Sequence, residues 1–229
     1  MSYTAHVDTF ARDNLPPREA WPELVFELPE LQYADRINCA TELLDGAVAR
    51  GWGGRTAIRT PDGLSWTYEE LLATANRIAN VLVEDLELVT GNRVLLRAPN
   101  NPMMAACWLA VVKAGGIAVG TMPLFRAKEL TDIVTKAEVS HALCDVRLAG
   151  DLANALPGCP TLRRVAYFGG DASDRLMLLS SLKSPPARNR CLFHGCVQEY
   201  DVVRRLSVRI DGVRSRIVAK LENDRVGTP

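Results

Sequence analysis

Short apolar segments that alternate with helical segments between about residues 55 and 170 constrain the fold of this chain most strongly. Four of them read as strands: Arg93–Arg97 (RVLLR), Ile117–Thr121, His141–Asp145 and Leu162–Phe168. Strands that are apolar without alternation are typical of parallel sheets, because helices cover both of their faces. The order strand, helix, strand, helix, strand, helix, strand therefore predicts an α/β fold with a doubly wound, mostly parallel sheet and helices on both faces.

The predicted helices carry start and stop signals. Thr67 and Glu70 have capping-box spacing. The stripe that follows them consists of Leu71, Ala75, Ile78, Ala79 and Leu82. Asn101 and Pro102 suit the N-cap and first position of a second, largely apolar helix, which Gly115-Gly116 ends. A third, amphipathic helix is marked by Leu130, Ile133, Val134 and Ala137, and a weaker fourth by Leu148–Leu156.

Regular structure is expected to begin near Asn38, a suitable N-cap for a short helix that Gly51 stops. The apolar face of that helix is predicted to contain Leu43, Leu44, Ala47 and Val48. Two short strands, Thr56–Thr60 and Leu64–Thr67, flank the turn sequence Pro61-Asp62-Gly63. We therefore expect an antiparallel hairpin before the first long helix.

Three regions follow from these patterns: an extended N-terminal arm over 1–37, the α/β subdomain over 38–184, and a basic tail over 185–229. Residues 187–229 hold nine Lys and Arg against five Asp and Glu, and the strand–helix alternation stops there. Asp211-Gly212 favours a hairpin in the tail, whereas a helix would place Gly212 in its interior. We expect the tail to be a loosely docked appendage outside the cooperative fold.

Composition narrows the class of protein. The 229 residues have a formal net charge of zero and are 48% hydrophobic, so a sizeable core can form and a globally basic nucleic-acid binder is excluded. The longest apolar stretch, Pro102–Val112, is far shorter than the roughly 20 residues that span a bilayer. Six scattered cysteines and an N-terminus without signal-peptide character predict a cytoplasmic protein with free thiols. The balanced charge and the short apolar stretch predict neither a nucleic-acid nor a membrane partner.

Two segments go beyond a generic α/β pattern. The first is Trp66–Leu71 (WTYEEL), and the second is Val112–Leu124 (VKAGGIAVGTMPL). They resemble the first two core motifs of the adenylate-forming (acyl-CoA synthetase/AMP-binding) superfamily, and the match runs in order from about residue 36 to 170. The matching motif residues, expected to serve structure, are Thr67, Tyr68, Glu70, Leu71, Lys113, Ala114, Gly115, Gly116 and Pro123.

Further stretches, such as NNPMMAACWLAVVKAGGIA and RAKELTDIVTKAEVSHALCD, resemble the aryl-CoA ligase branch and most closely 2-aminobenzoate–CoA ligase. The resemblance implies a two-step reaction. An aryl carboxylate attacks ATP to form an acyl-adenylate, and coenzyme A then displaces AMP, with Mg²⁺ as the metal. It also implies a Ser/Thr/Gly-rich phosphate loop ending in Gly-Lys-Pro-Lys-Gly, an adenine-binding segment and a C-terminal lid with a catalytic lysine.

None of those three elements occurs in the 229 residues, and no Walker phosphate loop occurs either. We therefore expect the N-terminal part of a truncated ligase that is inactive alone, with no catalytic residue and no cofactor of its own. One alternative is half of a split ligase that a complementary fragment completes. The other is a non-catalytic interaction module, which includes self-association through an exposed apolar sheet face.

Several single residues admit a functional and a structural interpretation. Cys191, His194 and Cys196 offer three soft ligands, but their spacing is cramped and incidental thiols are expected instead of zinc. His141 is expected to be a hydrogen-bonded structural histidine and Lys113 to interact with the end of its helix. Met103, Met104 and Trp108 lie where an aryl pocket might be, but they are expected to pack in the core. Arg126 follows the second motif and could bind an anion, but it is expected to be solvated.

Overall fold

The structure is a computed structural model that describes residues 5–23, 25–29, 32–34 and 37–169, together with the backbone of 177–178. A five-stranded sheet forms its centre. The strands are β3 (Arg93–Arg97), β4 (Ile117–Thr121), β5 (His141–Asp145), β6 (Arg164–Phe168) and β7 (Met177–Leu178), after the hairpin strands β1 (Thr56–Arg59) and β2 (Ser65–Thr67).

The sheet order is β4-β3-β5-β6-β7. The first four strands are parallel to one another, and β7 pairs with β6 in the antiparallel sense. All residues of β3 and β5 are buried, because these two strands lie inside the sheet with helices on both faces. The predicted doubly wound α/β fold is confirmed. The sixth strand begins at Arg164, two residues later than predicted.

The described residues form five α-helices: α1 (Phe10–Asp13), α2 (Tyr68–Asn80), α3 (Pro102–Lys113), α4 (Ala127–Lys136) and α5 (Ala149–Ala155). One core cluster joins α2 and α3 to the sheet, and every residue of the predicted stripe on α2 and its extension is buried in it. A second cluster joins α4 and α5 to the sheet through Leu130, Val134 and Leu152. The two clusters are the cores of the two faces.

The helix that precedes the hairpin agrees with its sequence-based prediction except on its apolar face. The Asn38 side chain accepts hydrogen bonds from the backbone of Ala40 and Thr41, as predicted for an N-cap. π-helical turns follow at Thr41–Asp45 and Val48–Trp52, and Gly51 has the left-handed conformation expected of a helix stop. Leu43 was predicted on the buried face, but this is wrong, since 55% of it is exposed. The π-helical turn changes the angular spacing that an α-helical pattern assumes.

Residues 5–14 pack against the amino edge of the sheet. Asp8 accepts hydrogen bonds from the buried guanidinium of Arg93 and from Asn92 Nδ2, at 2.8 Å for the latter. The Arg93 guanidinium also lies 4.6 Å from the centre of the Phe10 ring. Partial burial opposes ionisation of Asp8, but the hydrogen bonds from Arg93, Phe10 and Asn92 outweigh it and hold the pKa of Asp8 below its usual range.

We expect Asp8 to make this segment acid-sensitive. A carboxyl whose pKa is lowered by folding stabilises the protein above its unfolded pKa, about 4, and this stability is lost as pH falls through the folded value. Asp8→Asn should therefore cost about 1–3 kcal/mol at pH 7. Urea unfolding at pH 7 and pH 3 checks this. The variant should lose less stability on acidification than the parent chain, and an equal loss would contradict the assignment.

Residues 15–35 belong to a second unit, of which the structure describes 15–23, 25–29 and 32–34. A 3₁₀ turn spans Arg18–Ala20, and the Trp21 indole N–H donates to the carbonyl of Pro16 at 2.7 Å. The predicted boundaries of the arm, the subdomain and the tail stay predictions. The tail over 185–229, with its proposed hairpin at Asp211-Gly212, lies outside the described residues.

Candidate functional site

The first motif caps helix α2. The Thr67 hydroxyl accepts a hydrogen bond from the Glu70 backbone N–H at 3.2 Å, and the Glu70 carboxylate accepts one from the Thr67 N–H at 2.8 Å. The Thr67 backbone N–H and hydroxyl both donate to this carboxylate and hold the pKa of Glu70 below its usual range. Leu71 is buried, and Tyr68 is partly buried against the same core cluster. Each of the four motif residues therefore has a structural contact at the start of α2.

The second motif begins where α3 ends. Lys113 is buried, and its ammonium group contacts both carboxylate oxygens of Asp45, at 2.6 and 2.7 Å. Sequence reasoning assigned the lysine to the end of its own helix, but its nearest acceptor is a carboxylate 68 positions earlier. The end of the helix is instead bound by Asn38, whose amide N–H donates to the carbonyl of Val112 at 3.0 Å.

Two glycines of this motif fit closely against the segment before β3. Gly115 has φ +78°, and a Cβ there would lie 2.8 Å from the Thr90 methyl carbon. A Cβ at Gly116 would lie 3.2 Å from a methyl of Leu88, which also precedes β3. Gly91 N–H donates to the Gly115 carbonyl at 2.8 Å. Lys113 to Gly116 therefore stand at the amino edge of the sheet, opposite the edge where ligands bind in α/β folds.

The Lys113–Asp45 pair should show an asymmetric response to substitution. Asp45→Ala leaves a buried ammonium without its carboxylate and should cost about 3–5 kcal/mol. Lys113→Met removes the buried charge and leaves Asp45, whose side chain is 31% exposed and can be hydrated, so a smaller cost is expected. Urea unfolding of both variants checks the order. Equal costs, or a larger cost for Lys113→Met, would contradict it.

The opposite, carboxyl edge of the sheet is the candidate functional site. From β3 the chain moves to one neighbour, β4, and then crosses back to the other, β5. In open doubly wound sheets, ligands bind in the crevice at the carboxyl ends of the strands where the winding direction reverses. Here that position lies between β3 and β5, beside Arg97, the last residue of β3.

Arg97 fills this position. Its side chain is fully buried, and its guanidinium donates to four backbone carbonyls in the loops after β4 and β5. The acceptors, at 2.8 to 3.2 Å, are the carbonyls of Met122, Pro123, Phe125 and Leu148. The Asp151 carboxylate lies 3.7 Å away. A guanidinium has five N–H donors, so few are left for a ligand.

Arg97 thereby connects the second motif to the carboxyl edge, since Pro123 is one of its acceptors. Arg126, the anion-ligand candidate, is 79% exposed and pairs with Asp151 at 3.3 Å. Asp151 therefore forms ion pairs with two arginines, the buried Arg97 and the exposed Arg126. The structure brings Arg126 and Pro123 to the same edge as Arg97, whereas Lys113 and the three residues after it lie at the other edge.

Four other residues were considered as functional candidates in the sequence: His141, Met103, Met104 and Trp108. The ring of His141 is buried, with Nε2 2.9 Å from the Leu86 carbonyl and Nδ1 2.7 Å from the Ser140 hydroxyl. Burial lowers the pKa of His141, as expected for the structural interpretation. Met103 and Met104 pack against the core cluster of α2 and α3, as expected, but Trp108 is 42% exposed. The expectation that Trp108 packs in the core is therefore wrong.

The part of the chain that the structure describes holds four free cysteines and no metal-binding cluster. The cysteines there (Cys39, Cys107, Cys144 and Cys159) are free, and burial raises the pKa of Cys107 and of Cys144 to about 12. No cluster of three metal-ligating side chains occurs among those residues. Cys191, His194 and Cys196 lie outside them. Within the same part of the chain, no helix is long and apolar enough to span a bilayer.

Comparison with known proteins finds a matching family and several relatives that this chain covers in part. The family described as "AMP-binding enzyme" matches residues 46–191. The benzoate–CoA ligase of Thauera aromatica is 26% identical over 151 residues, which are 66% of this chain and 28% of that ligase. The salicyl-AMP ligase/salicyl-S-ArCP synthetase of Mycobacterium tuberculosis is 34% identical over 130 residues, covering 53% of this chain and 23% of that protein.

Two solved structures have the same fold. One is the anthranilate CoA ligase AuaEII in complex with anthranoyl-AMP, with a TM-score of 0.55 at 22% identity over 60% of this chain and 26% of that one. The other is ATP-bound MatB from Rhodopseudomonas palustris, with a TM-score of 0.51 at 30% identity over 62% of this chain and 26% of that one. The chain therefore spans about a quarter of the length of each of these four proteins.

Proposed function

Because the chain belongs to the AMP-binding enzyme family, we propose that it is the scaffold part of an aryl-acid–CoA ligase. The reaction of the whole ligase is ATP-dependent activation of an aryl carboxylate to an acyl-adenylate, followed by transfer to coenzyme A. Aryl carboxylate, ATP with Mg²⁺ and coenzyme A are accordingly substrates and cofactors of the complete enzyme. The free buried thiols fit a cytoplasmic setting.

An aryl acid is the favoured substrate class because several relatives are named for aryl acids. They include the benzoate–CoA ligase and a 3-hydroxybenzoate/4-hydroxybenzoate–CoA ligase of Thauera aromatica and the salicyl-AMP ligase. The segment Arg126–Asp145 resembles 2-aminobenzoate–CoA ligase. This favours an aryl acid that carries an amino group ortho to the carboxylate.

The 229 residues alone are proposed to be inactive, and the carboxyl-edge position of Arg97 carries this proposal. Binding a triphosphate there requires free N–H donors and space. Arg97 instead occupies the switch point with its guanidinium committed to four carbonyls and Asp151. These committed donors, together with the lack of a phosphate-loop sequence in the 229 residues, support the proposed inactivity.

A split ligase is the second candidate, in which a separate chain supplies the phosphate loop and the lid. The observation that favours it is that the chain covers only 28% of the length of the benzoate–CoA ligase, while its α/β body has a core cluster on each face of the sheet. In this case the chain is inactive alone but contributes to activity in a complex.

Exchange of pyrophosphate into ATP tests the proposal, because it reports acyl-adenylate formation without coenzyme A. The purified chain should show no acid-dependent exchange with 2-aminobenzoate, benzoate or hydroxybenzoates. Full-length benzoate–CoA ligase of Thauera aromatica is the positive control. Exchange by the chain alone that requires an aryl acid would overturn the proposed inactivity.

A further inference from the structure

Residues 15–35, called here the acidic segment, expose several apolar side chains. The segment belongs to the second unit and not to the α/β body. Leu15, Val25, Leu28 and Tyr33 are between 42% and 57% exposed. Several exposed apolar side chains within one short segment are typical of a surface that another segment or another protein covers.

The acidic segment also carries a strong negative charge. Its 21 residues hold five Asp and Glu against one Arg. Glu19, Glu23 and Glu27 are exposed, and none of the ion pairs formed within the described residues involves them. A complementary occupant of this segment therefore offers positive charge beside apolar side chains.

The basic tail contains a stretch with this composition. Residues 204–220 hold six Lys and Arg against one Asp, interspersed with Leu206, Val208, Ile210 and Val213. The net charges, −4 for the acidic segment and +5 for this stretch, are opposite and similar in size. The stretch lies outside the described residues and beyond residue 191, where the match to the AMP-binding enzyme family ends.

We propose that residues 204–220 of the basic tail bind the acidic segment of the same chain and cover its exposed apolar side chains. This inference goes beyond the proposed function and does not rest on it. The 25 residues between Leu178 and Arg204 can span about 85 Å when fully extended, so the length of the chain permits the contact. Covalent tethering also raises the effective concentration of one segment at the other toward the millimolar range, which favours this tail over that of a second copy.

Hydrogen exchange at the backbone amides of the acidic segment tests the proposal in the full 229-residue chain. Arg204→Glu together with Arg209→Glu replaces attraction by repulsion. At about 0.05 M NaCl this tail variant should lower the protection of the acidic segment at least about fivefold, relative to the intrinsic rate of each sequence. Adding Glu23→Arg and Glu27→Arg restores opposite charges and should return the protection to within about twofold of the parent chain.

Arg59→Glu together with Arg163→Glu is the matched control. Both arginines are exposed on the α/β body, and the change in net charge equals that of the tail variant. The control should leave the protection of the acidic segment unchanged. In about 1 M NaCl, where the Debye length is about 3 Å, the parent chain and the tail variant should become similar.

Each outcome decides. Loss of protection that the substitutions in the acidic segment reverse and the control does not reproduce supports the proposal, with exchange in β3 and β5 as the reference for an intact fold. An acidic segment unprotected in the parent chain, or indifferent to the tail variant, overturns it. Loss of protection without reversal also overturns it. A dimer in light scattering that the tail variant splits overturns it in favour of a contact between two copies.

Discussion

Replacing Arg97 by methionine should destabilise the α/β body by about 3–5 kcal/mol, measured by urea unfolding. The substitution keeps an unbranched side chain in the cavity but removes every donor. The carbonyls of Met122, Pro123, Phe125 and Leu148 then lose a charged partner in a buried position. The loops after β4 and β5 should loosen together, which faster hydrogen exchange at these loops would report.

Arg126→Met is the matched control for this prediction. Arg126 pairs with the same Asp151, but its side chain is 79% exposed, and exposed ion pairs contribute less than about 1 kcal/mol. A similar cost for both substitutions would show that the pairing with Asp151, and not the carbonyl contacts of Arg97, determines the stability of this edge.

Replacing Gly91 by alanine should cost about 2–4 kcal/mol and release residues 5–14 from the body. Gly91 has φ +89°, which alone costs alanine about 1–2 kcal/mol. In addition, the new Cβ would lie 2.1 Å from the Asp8 carbonyl oxygen, so the N-terminal segment must move. Urea unfolding measures the cost, and proteolysis of residues 5–14 reports the release.

Gly63→Ala separates the two causes. Gly63 has φ +91°, but a Cβ there would meet nothing within 4 Å. The control therefore keeps the left-handed strain and lacks the collision. If both variants lost the same stability and the N-terminal segment stayed protected, close packing of Asp8 on Gly91 would not be what holds this segment.

The sequence predicted the elements well because each depends on local spacing. The capping box of Thr67 and Glu70, the N-cap Asn101 and the apolar strands are all encoded within a few residues, and all are confirmed. Leu43 was one exception. Its position assumed 3.6 residues per turn, and the chain forms a π-helical turn there.

The candidate site was much harder to predict, because its contacts join distant positions. Arg97 was recognised only as the end of an apolar strand, and its acceptors lie 25 to 51 residues later. Asp45 pairs with Lys113 across 68 residues, and Asp8 with Arg93 across 85. The available signal was an arginine in an otherwise apolar buried strand, since a buried charge requires partners.

Titration of the purified chain with Mg²⁺ and ATP in a calorimeter tests the central claim most directly. Arg97 occupies the switch point, and we propose that this chain alone has no triphosphate site. No saturable heat is therefore expected, which corresponds to a Kd weaker than about 1 mM. Full-length benzoate–CoA ligase serves as the positive control. Saturable, stoichiometric binding of ATP in the micromolar range by the 229-residue chain would contradict the account.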